Sequence, residues 1–218
     1  SRGIGAAIAE ELASAGAHVV LTARSAADLE QVEDRVHRAG GSATIAPLDL
    51  TDADSIGRLA IAIADRWKTL DMMVLNAGML GTLTPINHAE PKEFAQVFTL
   101  NVSAQQALIA AFDPLLRRSA QARIIGITSS AAEKGDAYWG VYGASKAAFE
   151  ALLRAYAAET RNTTNIRVGI VDPGRTRTKM RAKAYPGEDP MSVKEPSVVG
   201  SRVRALMVNG FESGLRHR

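Results

Sequence analysis

Apolar residues recur along this chain at helical spacing, then at strand spacing, and the two patterns alternate from end to end. Ile4, Ile8 and Leu12 lie one turn apart in a helix over 5–15 that stops at Gly16, and His-Val-Val-Leu-Thr-Ala after it reads as a buried strand. Ser25-x-x-Asp28 has the form of a helix cap ahead of Leu29, Val32 and Val36; Gly40-Gly41 closes that helix, and 42–46 reads as the next strand. The same reasoning predicts helices over 52–67, 91–118, 142–160 and 196–207 and strands over 72–75, 123–128 and 166–171. In the helix over 91–118, Phe94, Val97, Phe98 and Leu108 are expected to face inward. Helices alternating with short apolar strands predict an α/β fold, a doubly wound parallel sheet with helices on both faces, as one domain spanning 1–218. The break is 173–195, rich in Pro and Gly, expected to be a substrate loop at about 175–195 because long loops in compact domains are commonly lids or binding segments.

Composition changes this picture little. With 46% hydrophobic and 22% charged residues in 218, the chain is expected to be an ordinary soluble domain with one core. No apolar run approaches the roughly 18 residues of a membrane span. Zero cysteines exclude disulfides and thiolate chemistry, and His18, His37, His88 and His217 are too scattered for a metal site, so none is expected. The charge of +3 comes without an arginine stripe interleaved with aromatics, which argues against a nucleic-acid partner and for a small phosphate-directed surplus.

The candidate chemistry centres on Tyr142 and Lys146, four residues apart on a predicted helix and therefore on one face. A free tyrosine, with a pKa of about 10, is a poor proton donor or acceptor at neutral pH unless something stabilises its phenolate. An ammonium about 5 Å away at an effective dielectric near 20 would supply roughly 3 kcal/mol. Polar or glycine residues also stand at the carboxyl ends of predicted strands, in Leu75-Asn-Ala-Gly78, Ile127-Thr-Ser-Ser130 and Val171-Asp-Pro-Gly174. That is the edge where open α/β sheets bind ligands. At the start of the chain, Ser1-Arg-Gly-Ile-Gly opens a helix whose N-terminus suits a phosphate.

In this order the motifs resemble the short-chain dehydrogenase/reductase family, over essentially the whole chain. Ser1-Arg-Gly-Ile-Gly looks like the second half of the family's glycine loop, Asn76-Ala-Gly its Asn-Ala-Gly element, Tyr142-x-x-x-Lys146 its catalytic pair and Pro173-Gly174 its nicotinamide-side turn. The resemblance implies a Rossmann-like fold, a nicotinamide cofactor, and catalysis by Asn101, a serine, Tyr142 and Lys146. Asn101 would hold a water in a proton relay, the serine would bind the carbonyl oxygen, Tyr142 would donate the proton, and Lys146 would lower the tyrosine pKa and bind ribose hydroxyls. Two serines compete. Ser130 precedes two small residues, as the family pattern asks, but stands twelve residues before Tyr142; Ser129 stands at the usual thirteen, and Ser130 is preferred because the strand end fixes direction. Cofactor contacts are expected from Arg2, Gly3, Ile4, Gly5, Arg24, Ser25, Asp49, Leu50, Asn76, Ala77, Gly78, Pro173, Gly174, Thr176 and Thr178, besides Tyr142 and Lys146.

Where relatives that use NAD carry an acidic residue, this chain has Ala23 before Arg24 and Ser25, so NADP(H) is the expected cofactor. The expected activity is interconversion of a carbonyl and a hydroxyl on a small molecule by a cytoplasmic homodimer or homotetramer. One rival is a reductase of 3-oxoacyl thioesters on an acidic carrier protein, because Arg175, Arg177, Lys179, Arg181 and Lys183 would share one face if extended. Another is a module that binds NADPH without turnover. By the same resemblance a strand ending in a threonine-glycine turn should precede Ser1 in the full protein.

Overall fold

The computed structural model describes residues 2–218 of the chain; Ser1 of the glycine motif lies outside them. The alternation read from the sequence is present: α1 (Gly3–Ser14), β1 (His18–Ala23), α2 (Ala26–Arg38), β2 (Ser42–Pro47), α3 (Ala53–Trp67), β3 (Met72–Leu75), α4 (Pro91–Phe98), α5 (Ala104–Arg118), β4 (Arg123–Ile127), α6 (Gly140–Thr160), β5 (Arg167–Val171), α7 (Lys179–Ala184), α8 (Pro196–Asn209) and β6 (Arg216–His217). The single expected sheet is instead two hydrogen-bonded sheets among the described residues, β1-β2 and β3-β4-β5-β6, and every pairing is parallel. The chain divides into two compact units, residues up to Leu50 with Arg175–Gly210, and Thr51–Gly174 with Phe211–Arg218.

The first unit is built on a small core. Ala6, Ala9 and Ala13 of α1 meet Leu21 of β1 and Leu29, Val32 and Val36 of α2. Short alanine side chains let helix and sheet approach closely. Ser25 caps α2 by accepting a hydrogen bond from the Asp28 amide at 3.2 Å, as the sequence pattern predicts. Helix α8 packs along α1, where Glu11 accepts from Ser201 at 2.8 Å and pairs with Arg204 at 3.2 Å. The expected extended loop is partly helical: Thr178 caps α7, its hydroxyl accepting from the Arg181 amide. Side chains two apart cannot share a face there, so the basic face does not form. Its charges are also partnered, Arg181 making two 2.6 Å bonds to Glu188 and Arg177 pairing with Glu195.

The second unit holds the drier sheet. Ile124, Ile125 and Ile127 of β4 and Val168, Ile170 and Val171 of β5 are all buried, the continuous apolar run expected of parallel strands covered on both faces. The expected helix over 91–118 is broken: α4 passes into a π-helical turn at Thr99–Ser103 before α5 begins. Phe94 is not inward. It is 40% exposed and stacks on Phe98 at 4.6 Å. Within α4 Val97 takes the fully buried position, and Phe94 and Phe98, one turn apart, stack on the flank beside it.

Candidate active site

In the second unit, three segments bring the expected catalytic residues together. The π turn carries Asn101, the end of β4 carries Ser129, and α6 carries Tyr142 and Lys146 one turn apart. Extra residues in a helical turn re-aim a side chain, which is why such turns recur at functional positions. Asn101 is fully buried. Its Oδ1 accepts from the Met79 amide at 2.8 Å, and its Nδ2 donates to the Met79 carbonyl at 2.9 Å and to Ser145 Oγ at 2.9 Å. The loop after β3 is thereby tied to α6. Ser145 in turn donates to the Tyr142 carbonyl at 2.7 Å.

Of the two serines, Ser129 is the one joined to Tyr142, sharing a side-chain hydrogen bond with its phenol. Ser130, preferred from the sequence, instead opens the short 3₁₀ turn Ser130–Ala132, whose first amide Ser129 Oγ caps at 3.2 Å from Ala131 N. Alternation at the strand end sends one serine toward the phenol and the next away. The serine that meets the phenol is thus the one at the thirteen-residue spacing, not the one followed directly by two small residues.

Burial pushes the Tyr142 phenol up to about 12, the Ser129 bond opposing it and the Asp172 carboxylate adding to it. Burial also brings the Lys146 ammonium down to about 8, against the pull of Glu150. Lysine was expected to lower the tyrosine. Here its Nζ donates to the Ile127 carbonyl at 2.9 Å and lies 6.0 Å from the Tyr142 ring centroid, so desolvation of the phenol outweighs the ammonium. Gly78 completes this group: a Cβ on it would stand 3.2 Å from Asn101 Oδ1 and 3.4 Å from Lys146 Nζ. A larger residue there would cover the face that the lysine and asparagine present.

Ala77, beside it, uses its carbonyl to accept from Gln105 Nε2 at 3.1 Å, while Asn76 is half-buried. Pro173-Gly174 follows β5, with the Gly174 amide donating to Asp172 Oδ1 at 2.9 Å. Trp139 lies edge-on to the Tyr142 ring at 5.9 Å. The sequence reading missed Ser145, Glu150, Asp172 and Arg216 as members of this group. The first two stand next to and one helical turn from Lys146, a spacing that offers a signal; Arg216, on a two-residue strand, offered none.

In the first unit, α1 begins at Gly3 with φ +54°, and its N-cap Arg2 contributes no side-chain cap. A Cβ on Gly3 would come within 3.2 Å of the Thr178 methyl, so only glycine leaves this helix start open. Ile4 and Gly5 follow in its first turn, both half-buried. Thr176 is buried in a bridge to Lys194. Arg24, Ser25 and Asp49 are exposed beyond β1 and β2, and Leu50 is buried. Arg2, 63% exposed, lies 3.5 Å from Asp28.

The family model for short chain dehydrogenases matches residues 1–189. The chain is 36% identical over 200 residues to the oxidoreductase YciK of Escherichia coli K12, covering 90% of this chain and 79% of that one. It is 35% identical over 185 residues to the short-chain dehydrogenase/reductase FrzI of a Cladobotryum species, covering 84% and 70%. Among solved structures, a short chain dehydrogenase from Pseudomonas syringae superposes with a TM-score of 0.95 at 38% identity, covering 99% of this chain and 89% of that one. Another, from Shigella flexneri 2a and solved in complex with NADP, superposes with a TM-score of 0.93 at 33% identity over 98% and 91%.

Proposed function

Given that the chain belongs to the short-chain dehydrogenase family, we propose that it is an NADP(H)-dependent oxidoreductase that interconverts a carbonyl and a hydroxyl group on a small molecule. The observation that carries this reading is the Ser129–Tyr142 hydrogen bond with Lys146 one helical turn away. The residues present fit a dinucleotide. Gly3 leaves an open, side-chain-free helix start for a phosphate, and Gly78 leaves open the face shared by Asn101 and Lys146. In this reading Arg2, Gly3, Ile4, Gly5 and Thr178 hold phosphates, Arg24 and Ser25 bind the 2′-phosphate, Asp49 and Leu50 face the base, and Asn76, Ala77, Pro173, Gly174 and Thr176 line the remainder. Ser25 caps α2 as an acceptor only, which leaves its O–H to donate to the 2′-phosphate beside the Arg24 and Arg2 guanidiniums.

The cofactor supplies the hydride when bound. Ser129 Oγ donates to the carbonyl oxygen, and the Tyr142 hydroxyl transfers its proton to the same oxygen. A phenol held up to about 12 stays protonated at neutral pH, as a donor must. Lys146, down to about 8, is close to neutral pH and so can carry or pass a proton to ribose hydroxyls. Asn101, with every side-chain group engaged, fixes the loop that bears Gly78. The family's helices α5 and α6 are the proposed faces of a homodimer or homotetramer, and the cytoplasm its proposed location.

The test is loss of NADPH absorbance against a panel of ketones, aldehydes and thioesters, one of them on a carrier protein. Turnover of any member supports the reading, and NADPH binding with no turnover across the panel would sink it in favour of a cofactor-binding module. The carrier-protein arm is expected to be poor, because Arg177 and Arg181 already pair with Glu195 and Glu188.

A further inference from the structure

Near the C-terminus, Arg216 is only 10% exposed and spreads its guanidinium over three segments. Nε donates to Glu150 Oε1 on α6 at 3.2 Å, Nη2 donates both to the Ser129 carbonyl at the end of β4 and to Asp172 Oδ2 after β5, each at 3.1 Å, and Nη1 faces Glu133. The planar fork is what permits this; a point charge could not satisfy acceptors in several directions at fixed angles. Three of these acceptors lie next to the reactive group. Ser129 bonds the Tyr142 phenol, Glu150 stands one turn from Lys146 and accepts from Thr128 at 2.6 Å, and Asp172 holds the Gly174 amide at 2.9 Å.

We propose that Arg216 is a positioning residue for the reaction: it fixes the Ser129 strand end and the Pro173-Gly174 turn, and balances the two carboxylates that act on Tyr142 and Lys146. The proposal rests on the proposed reductase activity. Two neighbouring arginines each reach one of these carboxylates: Arg154 meets Glu150 Oε2 at 2.6 Å, and Arg218 lies beside Glu133 and 4.0 Å from Asp172. The groups facing Tyr142 are Ser129, Asp172, the Lys146 ammonium and the edge of Trp139; those facing Lys146 are Glu150, the Ile127 carbonyl and the rings of Phe149 and Tyr142. Buried carboxylates left without their cation act on neighbours at full strength. Asp172 disfavours the phenolate, and Glu150 favours the ammonium. Removing Arg216 should therefore move both titrations to higher pH.

Arg216→Met, Arg216→Lys, Asp172→Asn and the Met/Asn double variant would be compared by steady-state kinetics with NADPH over pH. Lysine ¹³Cε NMR of the protein without cofactor would follow Lys146, assigned with Lys146→Arg. In Arg216→Met we expect kcat to fall about tenfold to a hundredfold, as small misplacements of reacting groups do. The limb set by Tyr142 and the Lys146 midpoint should both move above their wild-type values, with partial recovery in Arg216→Lys. Asp172→Asn should move the Tyr142 limb the other way, and the double variant should bring it back. Should Arg216→Met not fold, Arg216→Lys and Asp172→Asn carry the same opposed shifts. Wild-type kcat and Lys146 midpoint in a folded Arg216→Met, or a loss of activity with unmoved titrations, would overturn the proposal. Failure of the reductase reading looks different: wild-type protein consumes no NADPH, while the Lys146 midpoint still reports on Arg216.

Discussion

The two units use their polar residues in opposite ways. In the second, Asn101, Ser145 and Lys146 are buried, and their side chains bond Met79, Ser145, the Tyr142 carbonyl and the Ile127 carbonyl within one cluster. In the first, Arg24, Ser25 and Asp49 stand exposed, and Arg2 keeps only a loose 3.5 Å pairing with Asp28. Moving a proton demands groups fixed before the substrate arrives, since misaligned donors gain nothing in the transition state. Gripping a multiply charged ligand demands cations that are cheap to release from their present partners. Catalysis should thus break on small changes in the second unit, and cofactor choice should drift on changes in the first.

The sharpest break is Tyr142→Phe, which keeps the ring and removes the proton. Turnover of the best panel substrate should fall about 10²- to 10⁴-fold while NADPH still binds, read by fluorescence titration. An unchanged rate would end the catalytic assignment. Next comes the serine pair: Ser129→Ala should lower kcat about 10²- to 10³-fold, as loss of an oxyanion donor does, while Ser130→Ala stays near wild type. The reverse order would mean that the phenol's partner in this structure is not its partner in catalysis.

Burial of Lys146 has its own signature. A lysine brought from 10.5 to about 8 carries a proton in the unfolded chain, but not in the folded one, between those two values. The unfolded state then binds more protons, so this group's penalty, full below about 8, is relieved as pH rises toward 10.5. Lys146→Met should therefore gain stability over wild type chiefly below pH 8, by up to about 3 kcal/mol, and lose that advantage by pH 10.5. Urea melts at several pH values measure it, and a pH-independent difference would contradict a desolvated lysine.

In the first unit the effects should be gentler. Arg24→Ala should cut the preference for NADPH over NADH about tenfold, one charge-assisted contact, without changing kcat with saturating NADPH. Equal efficiency with both cofactors in the wild type would remove the basis for naming NADP(H). Smallest of all, Glu188→Gln leaves Arg181 without its two-bond carboxylate partner at a partly exposed site, and should leave the urea midpoint close to wild type. A clearly lowered midpoint would show that α7 depends on this pair.

The sequence by itself determined the parallel α/β class, the order of helices and strands, and the Tyr142–Lys146 pair, because each is written in local spacing that any one segment carries alone. It also put Gly3, Gly78 and Pro173-Gly174 at strand and helix ends, where only turn chemistry was needed to see them. Tertiary structure decided the rest. Which of two adjacent serines meets the phenol depends on how a strand end is rotated against α6. The π turn at Asn101 depends on what the helix packs against. The direction of the Tyr142 and Lys146 shifts depends on how dry their surroundings are. Arg216 reaches Ser129, Glu150 and Asp172 across separations of 87, 66 and 44 residues. No pattern along the chain encodes a contact of that range, because its partners become neighbours only when the sheet places them side by side.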